Sequence, residues 1–133
     1  MSESQRLNPS SLSTPKGYSH VVAVRGQRLI YVSGQVPFDK NGDLVGRGDL
    51  RAQTVRVYEN IKAALEAVGA SFADVVKVNT YVVNYSPDLR PILTEVRSQY
   101  LPPDRAPAST LVGVTSLALE GLLVEVEAVA VTD

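Results

Sequence analysis

Cysteine is absent from this 133-residue chain, which removes disulfides, thiolate nucleophiles and zinc-thiolate centres together. Histidine occurs once, as His20, too little for a metal site built on imidazoles. Neither charge dominates: 13 Lys and Arg stand against 14 Asp and Glu, for a formal net charge of -1. The basic residues are scattered and matched by carboxylates, so neither nucleic acid nor an anionic membrane is expected as a partner. No window approaches the ~18 consecutive apolar residues of a membrane span. The opening "MSESQRLNPSSLSTPK" has no apolar signal-peptide core, and with Met1 present the expectation is a cytoplasmic protein.

What is present suits one globular domain. A chain of this length with 44% hydrophobic residues can bury a core without covalent staples. Residues 1–16 are rich in Ser, Thr and Pro without a period, and are expected to form an N-terminal arm with little structure of its own. Residues 17–133 form the domain. Within it, "YSHVVAVRGQRLIYVSG" has two β-branched runs split by Gly26, the signature of a hairpin.

The loop that follows places Asp39, Asn41 and Asp43 at alternate positions, as at the start of a calcium-binding loop. Gly42 falls in the wrong place and Leu50 stands where the bidentate glutamate would be, so an Asn-Gly turn is expected instead. From Asp49 as N-cap to Gly69 beyond the C-terminus, Leu50, Val55, Tyr58, Ile61, Leu65 and Val68 recur near helical spacing.

Residues 75–83, "VVKVNTYVV", read as a strand, and residues 88–100 as a second helix with Leu89, Ile92, Val96 and Tyr100 on one side. Pro91 sits in the first turn of that helix, where its missing N–H is tolerated. Pro102, Pro103 and Pro107 force an extended link to the strand "STLVGV", and a turn leads to the last strand, "LLVEVEAVAVT".

The order is β-β-α-β-α-β-β, an α/β (α+β) domain with two helices on one face of a mixed sheet. In the last strand Val124, Val126, Ala128 and Ala130 suit packing under the helices. Leu123, Glu125, Glu127, Val129 and Val131 share the other face, too apolar for full solvation and too charged for a closed core. An interface between copies, carrying a polar pocket, reconciles the two.

In order and spacing, "GYSHVVAV", "YVSGQVP", "AQTVRVYENIKAALEAVGASFADVVKVNTYV", "PAST" and "VEVEAVAV" resemble the RidA family, also called YjgF or L-PSP, over nearly all of residues 17–131. The resemblance implies a chorismate-mutase-like fold assembled as a homotrimer with a small-molecule cleft between subunits. It also implies hydrolysis of 2-imino and enamino acids, such as 2-iminobutanoate and 2-iminopropanoate, to 2-keto acids and ammonia without a cofactor or metal. The family's cleft tyrosine falls on Tyr18, its ligand-facing turn on Ser33, Gly34 and Gln35, and its last-strand glutamate on Glu125. A carboxylate there suits the reaction, because imine hydrolysis needs water held near the C=N carbon and a group to move its proton.

The chain departs from the family pattern at "PAST". Imine-deaminating members carry arginine after Pro-Ala, where it clamps the substrate carboxylate; here that position is Ser109, followed by Thr110. Loss of a bidentate clamp removes about 3 to 5 kcal/mol of binding, so activity on 2-imino acids is expected to be weak. Arg105, four residues upstream, is separated from that position by the stiff Pro107.

Plainer readings stand beside these. Glu125 and Glu127 suit a solvated strand face, Ser109 and Thr110 suit strand-entry hydroxyls, Tyr18 suits aromatic packing, and Gly34 suits a bulge. Glu127 is read as structural and paired with an arginine. The functional alternative to a hydrolase is a non-enzymatic trimer that binds a metabolite or partner protein in the same clefts. RNA cleavage, attached by name to some relatives, has no support from a single histidine and no basic groove.

Overall fold

A computed structural model describes residues 3–133. Strands β1 (Glu3–Leu7) and β2 (Val21–Arg25) pair antiparallel in a two-stranded sheet. The main sheet holds β3 (Arg28–Gln35), β4 (Val75–Val83), β5 (Ala108–Val114) and β6 (Val124–Thr132) in the order β3-β6-β4-β5. Only β4 and β5 run parallel, as a strand-helix-strand crossover requires. Helices α1 (Leu50–Glu66) and α2 (Arg90–Ser98) lie on one face. The two helices and the mixed sheet are the expected architecture.

Local chemistry explains the helix ends. Asp49 has extended backbone, and its carboxylate accepts from the Ala52 amide, filling one donor at the start of α1. At the other end Gly69 takes a φ of +74°, and the amides of Gly69 and Ala70 donate back to Glu66 and Leu65. The second helix starts later than its pattern suggests, because Pro87–Leu89 form a 3-10 turn ahead of Arg90.

The core lies between the helices and the inner sheet face. Tyr58, Ile61 and Leu65 of α1 and Val96 of α2 meet Val78 and Val82 of β4 and Val124, Val126, Ala128 and Ala130 of β6. Each large apolar side chain fully buried here contributes about 1.5 to 3 kcal/mol over its exposed state. The buried stripe of α1 is centred differently from the expectation: Gln53, Thr54 and Val57 are also buried, while Val68 is partly exposed.

Two expectations are corrected. The N-terminal arm does contain a strand, β1, held along its length by β2. Its alternation of Ser4 and Arg6 with exposed neighbours is too polar to show as a hydrophobic period. The hairpin about Gly26 does not form either: β2 pairs with β1, while β3 runs along β6, and the Gln27 amide donates to the Thr132 carbonyl. A two-residue hairpin turn needs a positive φ at its first central residue, and Gly26 has none.

The Asn-Gly turn forms as expected. Asp39 Oδ1 accepts from the amides of Asn41 and Asp43, and Phe38 bridges to Leu44. Among the described residues no helix is long and apolar enough to cross a membrane, and no cluster of acidic or histidine side chains is placed to hold a metal ion.

Candidate functional site

Residues directly opposite one another on paired strands share a face, which fixes where each candidate points. Glu125 is opposite Tyr81, and Tyr81 is opposite Val112; all three lie on the face without helices. Ser109 is opposite Val78, which is buried, so Ser109 lies on the helix side. One chain therefore holds Glu125 and Ser109 on opposite faces of its sheet.

The helix-side group centres on a cavity of about 280 Å³ between the β4–β5 edge, α1 and α2. Tyr18 and Ser109 both line it. They meet because the Ser19 amide donates to the Pro107 carbonyl at 3.0 Å and the Ser19 hydroxyl to Ala106 at 2.6 Å, tying the segment after Gly17 to the entry of β5. The Tyr18 ring meets His20 edge to face, with centroids 5.3 Å apart, and His20 Nε2 is 2.6 Å from the Ser13 carbonyl oxygen. Arg105 is occupied elsewhere: its Nε donates to the Ala73 carbonyl and its Nη2 to Ser4 Oγ.

On the open face the turn of β3 meets β6. Pairing shifts between Val32 and Gln35, so Gly34 does sit at an irregularity, and its missing side chain leaves space that the Glu125 carboxylate occupies. Ser33 lines a hollow of about 370 Å³ with Tyr31, Lys77, Asn79, Glu127 and Val129. Gln35 folds back to donate to the Ser33 carbonyl. Thr110 accepts from Lys77 Nζ at 2.8 Å and takes no part in the cavity beside Ser109.

Among the described residues Glu127 has no arginine partner, which corrects that expectation. Its Oε1 accepts from Tyr81 Oη at 2.6 Å and Asn79 Nδ2 at 3.0 Å. These bonds hold the Glu127 carboxyl below the usual carboxylate range, the tyrosine contributing most, and the same carboxylate pushes the Tyr81 phenol up. The cross-strand register explains the match, since Asn79 lies directly opposite Glu127.

Other site residues carried only faint signals. Lys77, Asn79 and Tyr81 are the polar alternates of a segment read only as a strand, without any of them singled out. Arg90 and Arg97 both line the cavity from α2, and their spacing of seven was the available clue to a common helix face. Gln53 is fully buried, donates to Gly46 and Gly121, and accepts from the Leu123 amide. It thereby fastens α1 to the start of β6, just before Glu125.

A mixed sheet covered on one face by two helices, with a polar cavity at one edge and a carboxylate set against a glycine turn at the other, places the chain among RidA-like domains. The chain belongs to the family described as Endoribonuclease L-PSP, whose model matches residues 9–132. A RutC family protein of Pyrococcus abyssi is 40% identical over 108 residues, covering 81% of this chain and 82% of the relative. The 3-aminoacrylate deaminase RutC of Acinetobacter baylyi is 33% identical over 127 residues, covering 92% and 98%. Among solved structures, the Rid-family protein YyfB of Yersinia pestis, of unknown function, superposes with a TM-score of 0.87 at 38% identity, covering 96% of this chain and 98% of that one.

Proposed function

We propose that this protein is a small-molecule hydrolase of the Rid type that releases ammonia from an imine or enamine. The observation that carries the reading is the contact between Gly34 and Glu125, which seats a carboxylate against the β3 backbone at the edge of an uncovered sheet face. In the proposed reaction Glu125 orients water toward the C=N carbon and accepts its proton. The carbinolamine that forms takes a proton on nitrogen, its C–N bond breaks, and ammonia leaves a carbonyl product.

The name of the Acinetobacter relative supports the class, because 3-aminoacrylate is itself an enamine bearing a carboxylate. With Ser109 in place of an arginine, turnover of 2-imino acids is expected to be slower than in an enzyme with the arginine clamp.

The reading includes assembly as a homotrimer. Leu29 and Tyr31 are 57% and 74% exposed beside the carboxylates of the open face, a combination suited to burial against a second copy. A second copy would also bring one chain's Glu125 to its neighbour's Tyr18 and Ser109, which a single chain keeps apart.

The test is ammonia release from freshly generated 2-iminopropanoate and 2-iminobutanoate by the wild type and Glu125→Gln. Release above the uncatalysed rate, lost in the variant while oligomeric state is kept, supports the reading. Equal release by both variants would remove Glu125 from the mechanism, and no release by the wild type would leave a binding protein on the same scaffold.

A further inference from the structure

The cavity beside Ser109 has an unusual charge balance. Arg97 and Arg90 of α2 line it together with Lys16, and no carboxylate does. Among the described residues none of these three cations makes an ion pair or a side-chain hydrogen bond. On α1, by contrast, Arg51 meets Glu95 at 2.7 Å and Arg56 donates to the Phe38 carbonyl. Three unneutralised charges around one concavity raise its potential, and the low-dielectric wall formed by Leu93 and Tyr58 concentrates that field.

Arg97 is the most enclosed of the three. It lies close enough to Tyr58 to oppose the effect of burial, which pushes that phenol up to about 12. Its guanidinium also packs over Gly17, where an added Cβ would lie 2.5 Å from Nη2. The turn that presents Tyr18 therefore walls in the arginine, and neutral hydroxyls of Ser109, Thr80 and Thr94 line the same space.

We infer that this cavity binds a small carboxylic acid, with Arg97, supported by Arg90, holding the carboxylate from α2 while the Ser109 hydroxyl faces the oxo or imino end. The inference rests on the hydrolase reading for the choice of an oxo or imino acid, but not for the anion preference. A cavity of about 280 Å³ holds a handful of heavy atoms, given that a water occupies about 30 Å³ of liquid. Charge thus enters from the helix, rather than from the strand position where the family pattern puts it.

Binding can be tested apart from turnover. The stable acid 2-oxobutanoate and its neutral amide are titrated by calorimetry into the wild type, Arg97→Gln, Arg90→Gln, Arg97→Lys and the remote control Arg25→Gln, with melting curves confirming the fold. The acid is expected to bind at least about tenfold more tightly than the amide. Arg97→Gln should weaken the acid by about ten- to a hundredfold, with partial retention in Arg97→Lys and no change in Arg25→Gln. Equal affinity for acid and amide, or an unchanged affinity in a folded Arg97→Gln protein, would overturn the proposal. Preference for inorganic phosphate over the acid would overturn its carboxylate assignment. Binding that depends on Arg97 without ammonia release upholds the anion site and removes only the hydrolase reading; turnover indifferent to Arg97 does the reverse.

Discussion

A methyl group on Gly34 would lie 1.9 Å from Oε2 of Glu125 and 2.8 Å from its Cδ, so the β3 backbone rests directly on the β6 carboxylate. The absence of a side chain at position 34 therefore sets where Glu125 can sit. Gly34→Ala should fold, because the obstructing group is the mobile end of a side chain, but it should displace the carboxylate. We expect ammonia release to fall by about tenfold or more, the order of a lost positioned base, with little change in melting temperature. Normal activity in that variant would show that the contact has no bearing on the reaction.

Ser109→Arg adds a guanidinium to the cavity that also holds Tyr18. If the serine is the sole deficit, kcat/KM for 2-iminopropanoate should rise by about a hundredfold, the size of a charge-assisted hydrogen-bonded clamp. If Arg97 and Arg90 already hold the carboxylate, the gain should stay below about tenfold, because like charges compete for one anion. Parallel rates for the two proteins on one substrate preparation separate the cases.

The Tyr81–Glu127 pair gives a pH dependence of definite sign. Because the folded state holds the Glu127 carboxyl below its ordinary value, its stabilisation is fully present above the ordinary carboxylate range, near about 4.3. It fades as pH falls through the lower folded-state value. The raised Tyr81 phenol acts at the other end, contributing below about 10 and losing its contribution as pH rises through its folded-state value. Tyr81→Phe removes the larger of Glu127's two hydrogen bonds, so the Glu127 titration followed by carboxyl-carbon NMR should move upward. An unmoved titration would assign the depression to Asn79.

Gln53 offers a stability test at a position the sequence pattern passed over. Its side chain satisfies the Gly46 and Gly121 carbonyls at 3.1 and 3.0 Å and the Leu123 amide at 2.8 Å. Gln53→Ala leaves these groups without their side-chain partner inside the protein and should cost about 2 to 4 kcal/mol in urea unfolding. A loss under about 1 kcal/mol would mean that water replaces the amide without penalty.

Much of the domain was legible because its local signals agreed with one another. The Asp49 cap, the Gly69 exit and the unbroken "VVKVNTYVV" run placed α1 and β4, and the alternation in β6 separated Val124, Val126 and Ala128 from Glu125 and Glu127. The family resemblance singled out Gly34, and only the tertiary structure set the Glu125 carboxylate against it. The hairpin reading failed because two adjacent β-branched runs say nothing about which neighbour each will choose. β1 was missed because a strand supported from outside needs no apolar period of its own. The arginine expected beside Glu127 turned out to be Tyr81 and Asn79, which cross-strand register alone brings within reach.

By itself the sequence determined the order of the elements, the ends of the long helix, which face of β6 is apolar, and the serine at position 109 at the entry to β5. These are properties of near neighbours, governed by backbone dihedrals, capping and side-chain alternation. Tertiary structure alone decided that Ser109 and Glu125 lie on opposite faces, that Arg105 is tied to Ala73 and Ser4, and that Arg90 and Arg97 share a cavity with Tyr18. Such placements depend on strand partners far apart in the chain, and no spacing along the sequence encodes them.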